Sequence, residues 1–260
     1  RAMNCLESEI RCTLFIRTNR GVRLTPEGER LYTRVSAAMA QLQLAEEELT
    51  DSTGLEHGSI SIGASETALS IYLLERLKHF HMTYPNIRLK IYNHSTPQAV
   101  HSVKNGEIDF AIVTTPTTAK PPLKEIRLES FREVLVGGKT FTALSSQTLT
   151  LAELKNYPFI CLGRETMTFA FYHQLFLSHG LELEPDTEAA TTDQVLPLVK
   201  SDLGLAFIPE SMAIPAIQNH EVIPIHLQET IPCRYVCMVS DIKRPLNSAA
   251  RKLKDLILHS

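Results

Sequence analysis

The sequence holds no long apolar run. The longest, around Leu203–Pro209, is a few residues, whereas a membrane-spanning helix needs about 20. Helical membrane spans are excluded, and no membrane partner is expected. The opening residues do not read as a secretory signal. Cysteine is scarce and odd in number, at positions 5, 12, 161, 233 and 237. No pair has a zinc-site spacing. Cys233 and Cys237, on one face of an extended strand, would lie roughly 13 Å apart, too far for a disulfide. Free, buried thiols in a reducing compartment are the expectation. A glycine-rich phosphate loop, a nucleophile elbow and an H-E-x-x-H pair are all missing. The ten histidines are scattered. His79 and His81 would point to different sides of a helix, while His57, His94 and His173 read as surface or cap residues. No enzyme activity, no cofactor and no metal site are expected.

A large charge excess is also lacking: the 260 residues carry a formal net charge of −3. The distribution is uneven. Residues 1–34 hold seven Arg and four Glu, a net of +3, so the remainder carries −6. A basic end on an acidic body suggests two separate tasks. The length allows one to three domains, and 43% hydrophobic with 21% charged residues is an ordinary globular composition.

Within the basic end, Arg17, Arg20 and Arg23 crowd a turn just ahead of Thr25-Pro26. A loop that meets an anion needs such clustering; a solvated loop does not. Before it, "RAMNCLESEIRC" carries Met3, Leu6 and Ile10 at helical spacing. The sequence opens inside this helix, so residues upstream of Arg1 are expected to be missing from it. "TLFIRTNRGVRL" reads as a tight hairpin turning at Asn19-Arg20-Gly21. Thr25-Pro26-Glu27 then has the N-cap, first-turn proline and first-turn acid of a helix start. Helix, two-stranded wing and helix form the back half of a winged helix-turn-helix. The helix that follows, 26–52, repeats Leu31, Val35, Ala38, Leu42, Ala45 and Leu49 in alternating steps of four and three. That heptad seam asks for a partner helix, and Leu31, Val35, Leu42 and Leu49 are its candidate dimerisation residues. A short polar linker, 51–59, ends this part.

From residue 59 strands and helices alternate, with short connections. "SISIGAS", "IRLKIYN" and "IDFAIV" read as strands separated by helices, which predicts a parallel sheet with right-handed crossovers. The second half repeats the rhythm through "EVLVGG", "PFICLG", "DTEAAT" and "GLAFIP", followed by "VIPIHL", "RYVCMVS" and a closing helix. Two α/β units of comparable size result. Open parallel sheets bind ligands beyond the carboxyl ends of their strands, where hydroxyls and helix N-termini supply donors. Ser65, Thr67, Ser95, Thr115, Arg164, Thr166 and Thr192 stand at those ends and are the candidate ligand-binding residues. Serine and threonine also cap helices for structural reasons alone.

Three stretches carry a resemblance to the LysR-type transcriptional regulators: "LFIRTNRGVRLTPEG" after the opening helix, the long heptad helix, and "VKSDLGLAFIPES" at 199–211. The resemblance covers the whole chain. It implies an α/β protein with a partial winged helix-turn-helix (1–25), a linker helix (26–52), and a two-lobed effector domain shaped like a periplasmic binding protein (59–260). The lobes would be about 59–134 plus 222–260, and about 135–221. It implies double-stranded DNA as a partner of the full-length protein, with Arg1, Asn4, Arg17, Arg20 and Arg23 at the duplex. Phosphate contacts of that kind position a protein and make binding salt-dependent. A small-molecule effector between the lobes, assembly as a homodimer or homotetramer, and a cytoplasmic location follow from the same resemblance. A solute-binding module of a transport system and a small-molecule enzyme on the same fold are the alternatives.

Overall fold

The computed structural model describes residues 2–18, 21–50 and 58–259. Helix α1 (Ala2–Glu9) leads into a hairpin of β1 (Phe15–Thr18) and β2 (Gly21–Leu24), paired antiparallel with Phe15 opposite Leu24. Glu7 holds the corner: one carboxylate oxygen accepts from the amides of Leu14 (2.6 Å) and Phe15 (3.0 Å), and these bonds lower its pKa. Helix α2 (Pro26–Thr50) starts where the threonine-proline pair predicts. The Thr25 hydroxyl donates to the Thr13 carbonyl at 2.8 Å and accepts from the Gly28 amide at 3.0 Å. Gly28 is there for space, since a Cβ would stand 2.2 Å from the Leu14 carbonyl oxygen. The "LT-P-E-G" sequence thus fixes how the long helix leaves the wing.

The first lobe is one five-stranded sheet in the order β4-β3-β5-β13-β6. Strands β3 (Gly58–Ala64), β4 (Ile87–Asn93) and β5 (Phe110–Thr114) are parallel. Between β3 and β4 the chain runs through α3 (Glu66–Ala68), a π-turn at Leu69–Leu73 and α4 (Leu74–Thr83). Helix α5 (Thr96–Asn105) joins β4 to β5 and ends on Gly106 in the left-handed region, φ 73°. Ile60, Ile62, Phe110 and Met238 meet Leu77 and Phe80 of α4 on one face of the sheet, and Ala111, Val113 and Val239 meet Ala99 and Val103 of α5 on the other. Burying each such large side chain contributes about 1.5–3 kcal/mol.

The three strands expected to be parallel are so, and the remaining two strands of this sheet run against their neighbours. β13 (Arg234–Asp241) runs antiparallel to β5 and to β6 (Leu123–Phe131). The chain returns from the second lobe and enters the sheet in the reverse direction. β6 itself was not expected: it alternates on a sheet edge with five exposed positions, so its sequence reads as polar loop. The alternating β4 is the opposite edge, where Ile91 stays 40% exposed.

The second lobe carries a four-stranded sheet, β11-β7-β12-β8, and a two-stranded parallel pair. β7 (Glu133–Gly137) is antiparallel to both β11 (Ala206–Pro209) and β12 (Ile223–Leu227), and the short β8 (Thr148–Leu149) runs parallel to β12. β9 (Ile160–Leu162) pairs with β10 (Thr187–Ala189), and the Phe159–Leu205 bridge links that pair to the larger sheet. Helix α6 (Met167–Ser178) covers one side through Tyr172 and Phe176. α7 (Thr192–Lys200) and α8 (Glu210–Gln218) cover the other through Val195, Val199, Ala213 and Ala216. The predicted lobe boundary at 222 is therefore too early. β12 hydrogen-bonds to β7, and the crossing back to the first lobe lies after Leu227, before β13. Helix α9 (Ser248–His259) closes the chain on the first lobe, burying Ala249, Ala250, Leu253 and Ile257.

The thiol expectation holds in part. Cys161 and Cys237 are buried and burial pushes each up to about 12, but Cys5 and Cys233 are exposed and Cys12 is half-buried. Cys233 lies one residue ahead of β13, outside the strand that would have covered it.

Candidate functional site

The carboxyl ends of β3, β4 and β5 in one lobe face those of β9 and β10 in the other across a cavity of about 280 Å³. Nine of its seventeen lining residues are Ser or Thr, two are Glu, and none is Lys or Arg. Of the sequence candidates, Ser65, Thr67, Ser95, Thr166 and Thr192 line it.

Their hydroxyls are not equally available. Thr166 is spent as a cap: it donates to the Gly163 carbonyl at 2.8 Å and accepts from the Phe169 amide at 3.1 Å. Ser95 forms a capping box with Gln98, donating to its Oε1 from both amide and hydroxyl at 2.9 and 3.0 Å. Ser65 accepts from the Ala68 amide over a long 3.4 Å. Thr67 and Thr192 do something different. Their hydroxyls meet at 3.1 Å, a direct bond between the two lobes at the floor of the cavity. The N-terminus of α7 beside them carries no side-chain cap.

Two candidates fall outside the cavity. Thr115 is turned into the sheet: its amide donates to the Tyr235 carbonyl at 2.9 Å and its hydroxyl accepts from the Tyr235 amide at 3.0 Å. The last residue of β5, Thr114, lines the cavity instead, because side chains alternate along a strand and a one-residue error changes the face. Arg164 points to solvent, with 70% of its side chain exposed and Nε 3.8 Å from Glu188; Glu165 takes the wall.

The sequence reading missed the group beneath the cavity. Glu133, first residue of β7, and Arg234, first residue of β13, form an ion pair of 2.7 Å with both side chains 1% exposed. They sit where the chain crosses between lobes. Arg234 also donates from Nε to the Thr115 carbonyl at 3.0 Å, and from one terminal nitrogen to the hydroxyls of Thr114 (2.9 Å) and Thr168 (3.0 Å). The rings of Phe131 and Phe171 lie near its guanidinium, at 5.4 and 5.1 Å. Breaking such a buried pair from one side costs about 3–5 kcal/mol, so this clasp fixes the crossing. Its signal in the sequence was a charged residue opening each of two buried strands, "EVLVGG" and "RYVCMV". Tyr172 stands nearby, its phenol pushed well above the usual range by burial.

Along the arm, the Arg17 guanidinium donates to the Asn4 side-chain oxygen, both residues exposed, and Arg23 is exposed on the wing. Arg1 and Arg20 lie outside the described residues. On α2, Leu31 is half-buried, while Tyr32, Val35, Met39 and Leu42 are 53%, 48%, 52% and 59% exposed. They form an open apolar stripe at steps of three, four and three. The side chain of Leu49 lies outside the described residues. Among the described residues there is no group of three His, Cys, Asp or Glu placed to hold a metal ion, and no helix long and apolar enough to cross a membrane.

Comparison with known proteins places this geometry. The family described as the LysR substrate binding domain matches residues 53–260. The HTH-type transcriptional regulator YofA of Bacillus velezensis is 26% identical over 221 residues, covering 85% of this chain and 73% of that protein. Among solved structures, the effector binding domain of QuiR in complex with shikimate superposes with a TM-score of 0.68 at 18% identity, over 78% of this chain and 96% of that one. The full-length Vibrio cholerae virulence activator AphB covers 99% of this chain, with 87% of its own length matched, at a TM-score of 0.65 and 18% identity.

Proposed function

This chain belongs to the LysR-type transcriptional regulators, and we propose how its parts divide that work: a small-molecule effector binds between the lobes, and the arm carries the response to DNA. The observation that carries the reading is the Thr67–Thr192 bond across a hydroxyl-lined cavity. A ligand that inserts there exchanges one inter-lobe contact for its own and so favours one lobe spacing over another. A ligand shifts such an equilibrium by its differential affinity for the two states. The lobe crossing clasped by Glu133 and Arg234 is the fixed point about which that change occurs. Ser65, Thr67, Ser95, Thr114 and Thr192 are the effector contacts; Thr166 supports them as a cap, and Thr115 and Arg164 face away from the cavity.

Arg17 and Arg23, with Arg1, Asn4 and Arg20, contact duplex phosphates. The open stripe of α2 pairs with the same stripe of a second copy, extended through Leu31 and Leu49, to give a homodimer that can pair again. That pairing sets the spacing of the two wings on DNA. The reading assigns no turnover to the chain and locates it in the cytoplasm.

The decisive test fills the cavity. Thr192→Trp in the full-length regulator is expected to abolish any melting-temperature rise caused by small molecules that stabilise the wild type, because a ligand stabilises in proportion to its occupancy. Fluorescence anisotropy with duplex DNA checks that the variant is still a folded, DNA-binding regulator. A ligand-induced rise that survives Thr192→Trp would place the effector elsewhere.

A further inference from the structure

The lining of the inter-lobe cavity restricts the charge of its occupant. Fourteen of the seventeen lining residues carry a hydrogen-bonding side chain, and none is Lys or Arg. The guanidinium beneath the floor, that of Arg234, is already neutralised by Glu133 at 2.7 Å and bonded to Thr114, Thr115 and Thr168. The helix N-termini around the cavity offer no anion seat either. The Ser95–Gln98 capping box closes α5, the Thr166 hydroxyl closes α6, and Asp193 stands in the first turn of α7. The carboxylates are answered in turn. Glu66 accepts from Ser70 at 3.2 Å and from Asn93 at 3.4 Å, Glu133 accepts from Arg234, and Glu165 is exposed to solvent. A charged ligand would enter between the lobes without an unspent ion partner, and a buried unpaired charge is costly.

What the cavity does offer is hydrogen bonds of both kinds. The Thr114 and Thr168 hydroxyls each accept from Arg234, at 2.9 and 3.0 Å, and neither has an acceptor for its own hydrogen among the described residues. A hydroxyl that accepts from a guanidinium is polarised into a stronger donor. At the inter-lobe contact, Thr67 and Thr192 share one bond of 3.1 Å, which leaves one hydroxyl hydrogen over and lone pairs on both oxygens. A ligand hydroxyl inserted there accepts from one threonine and donates to the other. A carboxylate can only accept, and an ammonium can only donate. Leu162, Met167 and Ala190 gather on the second-lobe side, a small apolar patch for the C–H face of a ring. At about 280 Å³ the cavity lies at the small end of ordinary ligand sites, which hold about 300–1,000 Å³.

We propose that the effector is an uncharged polyhydroxylated molecule of monosaccharide size, a sugar or an open-chain polyol. Its oxygens accept from Thr114 and Thr168, and one of its hydroxyls takes over the Thr67–Thr192 contact. This rests on the reading of the cavity as the effector site.

The test is calorimetric titration and thermal shift of the full-length regulator. The panel is the common neutral hexoses and pentoses, their alditols, the matching aldonic and uronic acids, the 2-amino-2-deoxy sugars, and a set of simple mono- and dicarboxylates. At least one sugar or alditol is expected to bind, with its acid and its amino counterpart each weaker by about tenfold or more, because neither added charge finds a partner. Thr168→Val is expected to weaken the bound sugar or alditol by about three- to tenfold, the scale of one hydrogen bond, and Thr168→Ser to restore it. Should Thr168→Val fail to fold, the analogue comparison on the wild-type protein decides alone. Equal or tighter binding of the acid or the amino sugar, unchanged binding in a folded Thr168→Val, or no sugar or alditol bound overturns the proposal. A carboxylate that binds and is removed by Thr192→Trp keeps the cavity as the effector site and overturns the uncharged class. A sugar or alditol that Thr192→Trp leaves bound overturns the placement, and the reading of the cavity with it.

Discussion

Helices α2 and α9 are both amphipathic, and they meet opposite fates. α9 buries Ala249, Ala250, Leu253 and Ile257 against the first-lobe sheet and α4. α2 leaves Tyr32, Val35, Met39 and Leu42 about half exposed. The same contrast separates the whole arm from the two-lobed body. Among the described residues of the arm, Leu14 is the one buried apolar side chain besides small residues. The body covers its apolar faces within the chain, while the arm leaves one apolar surface open. Amphipathic periodicity therefore announces that a face will be covered; it does not say by what.

The largest effect that would sharpen this contrast lies in the body. Arg234→Met leaves the Glu133 carboxylate buried without its partner, and is expected to lower stability by about 3–5 kcal/mol in urea unfolding. The double substitution Arg234→Met with Glu133→Gln should recover part of that loss. Next, Leu253→Ala on α9 is expected to cost about 2–5 kcal/mol. Leu42→Glu on α2 should leave the unfolding of the lobes unchanged and instead reduce the mass measured by light scattering. Equal destabilisation by the two substitutions, with no change of mass, would break the comparison. Thr192→Val removes the inter-lobe hydroxyl contact and is expected to cost about 0.5–1.5 kcal/mol, read as a small shift of the urea midpoint.

Titration separates the thiols in the same way. Cys161 is held up to about 12 by burial, against an ordinary thiol value of 9.0. Between those values the unfolded chain releases a proton that the folded chain keeps, so stability falls as pH climbs above 9.0. Cys161→Ala should flatten that alkaline loss. At neutral pH, Cys5 and Cys233 should react with iodoacetamide in the native protein, while Cys161 and Cys237 react only after unfolding. At the acid end both regions respond, through Glu7 in the arm and through Glu153, held low by the Thr150 amide and hydroxyl, in the body. Glu7 is held low by the Leu14 and Phe15 amides, so its contribution is present above its ordinary value of 4.5 and is lost as pH falls through the lowered one. Glu7→Gln should remove that small acid dependence.

Much of the arm and the cavity was legible beforehand because their signals are local. The wing, the start at Thr25-Pro26 and the hydroxyls at the ends of β3, β4, β9 and β10 depend on periods of two to four residues and on capping chemistry. Thr115 was one residue wrong because strand alternation fixes a face only once pairing is known. β6 was passed over because an edge strand with one exposed face carries little apolar signal. Arg164 looked like an anion ligand because its charge was visible and its direction was not.

Local sequence determined most of the helices and strands, β6 excepted, where several of them began, and that hydroxyls would collect at one end of each α/β unit. Only the tertiary structure decided that β12 joins the second lobe, that β13 returns antiparallel, and that Glu133 meets Arg234. That last pair is separated by 101 positions. Its contact depends on how two lobes cross and recross, and no short-range pattern in a chain encodes the route of the whole backbone.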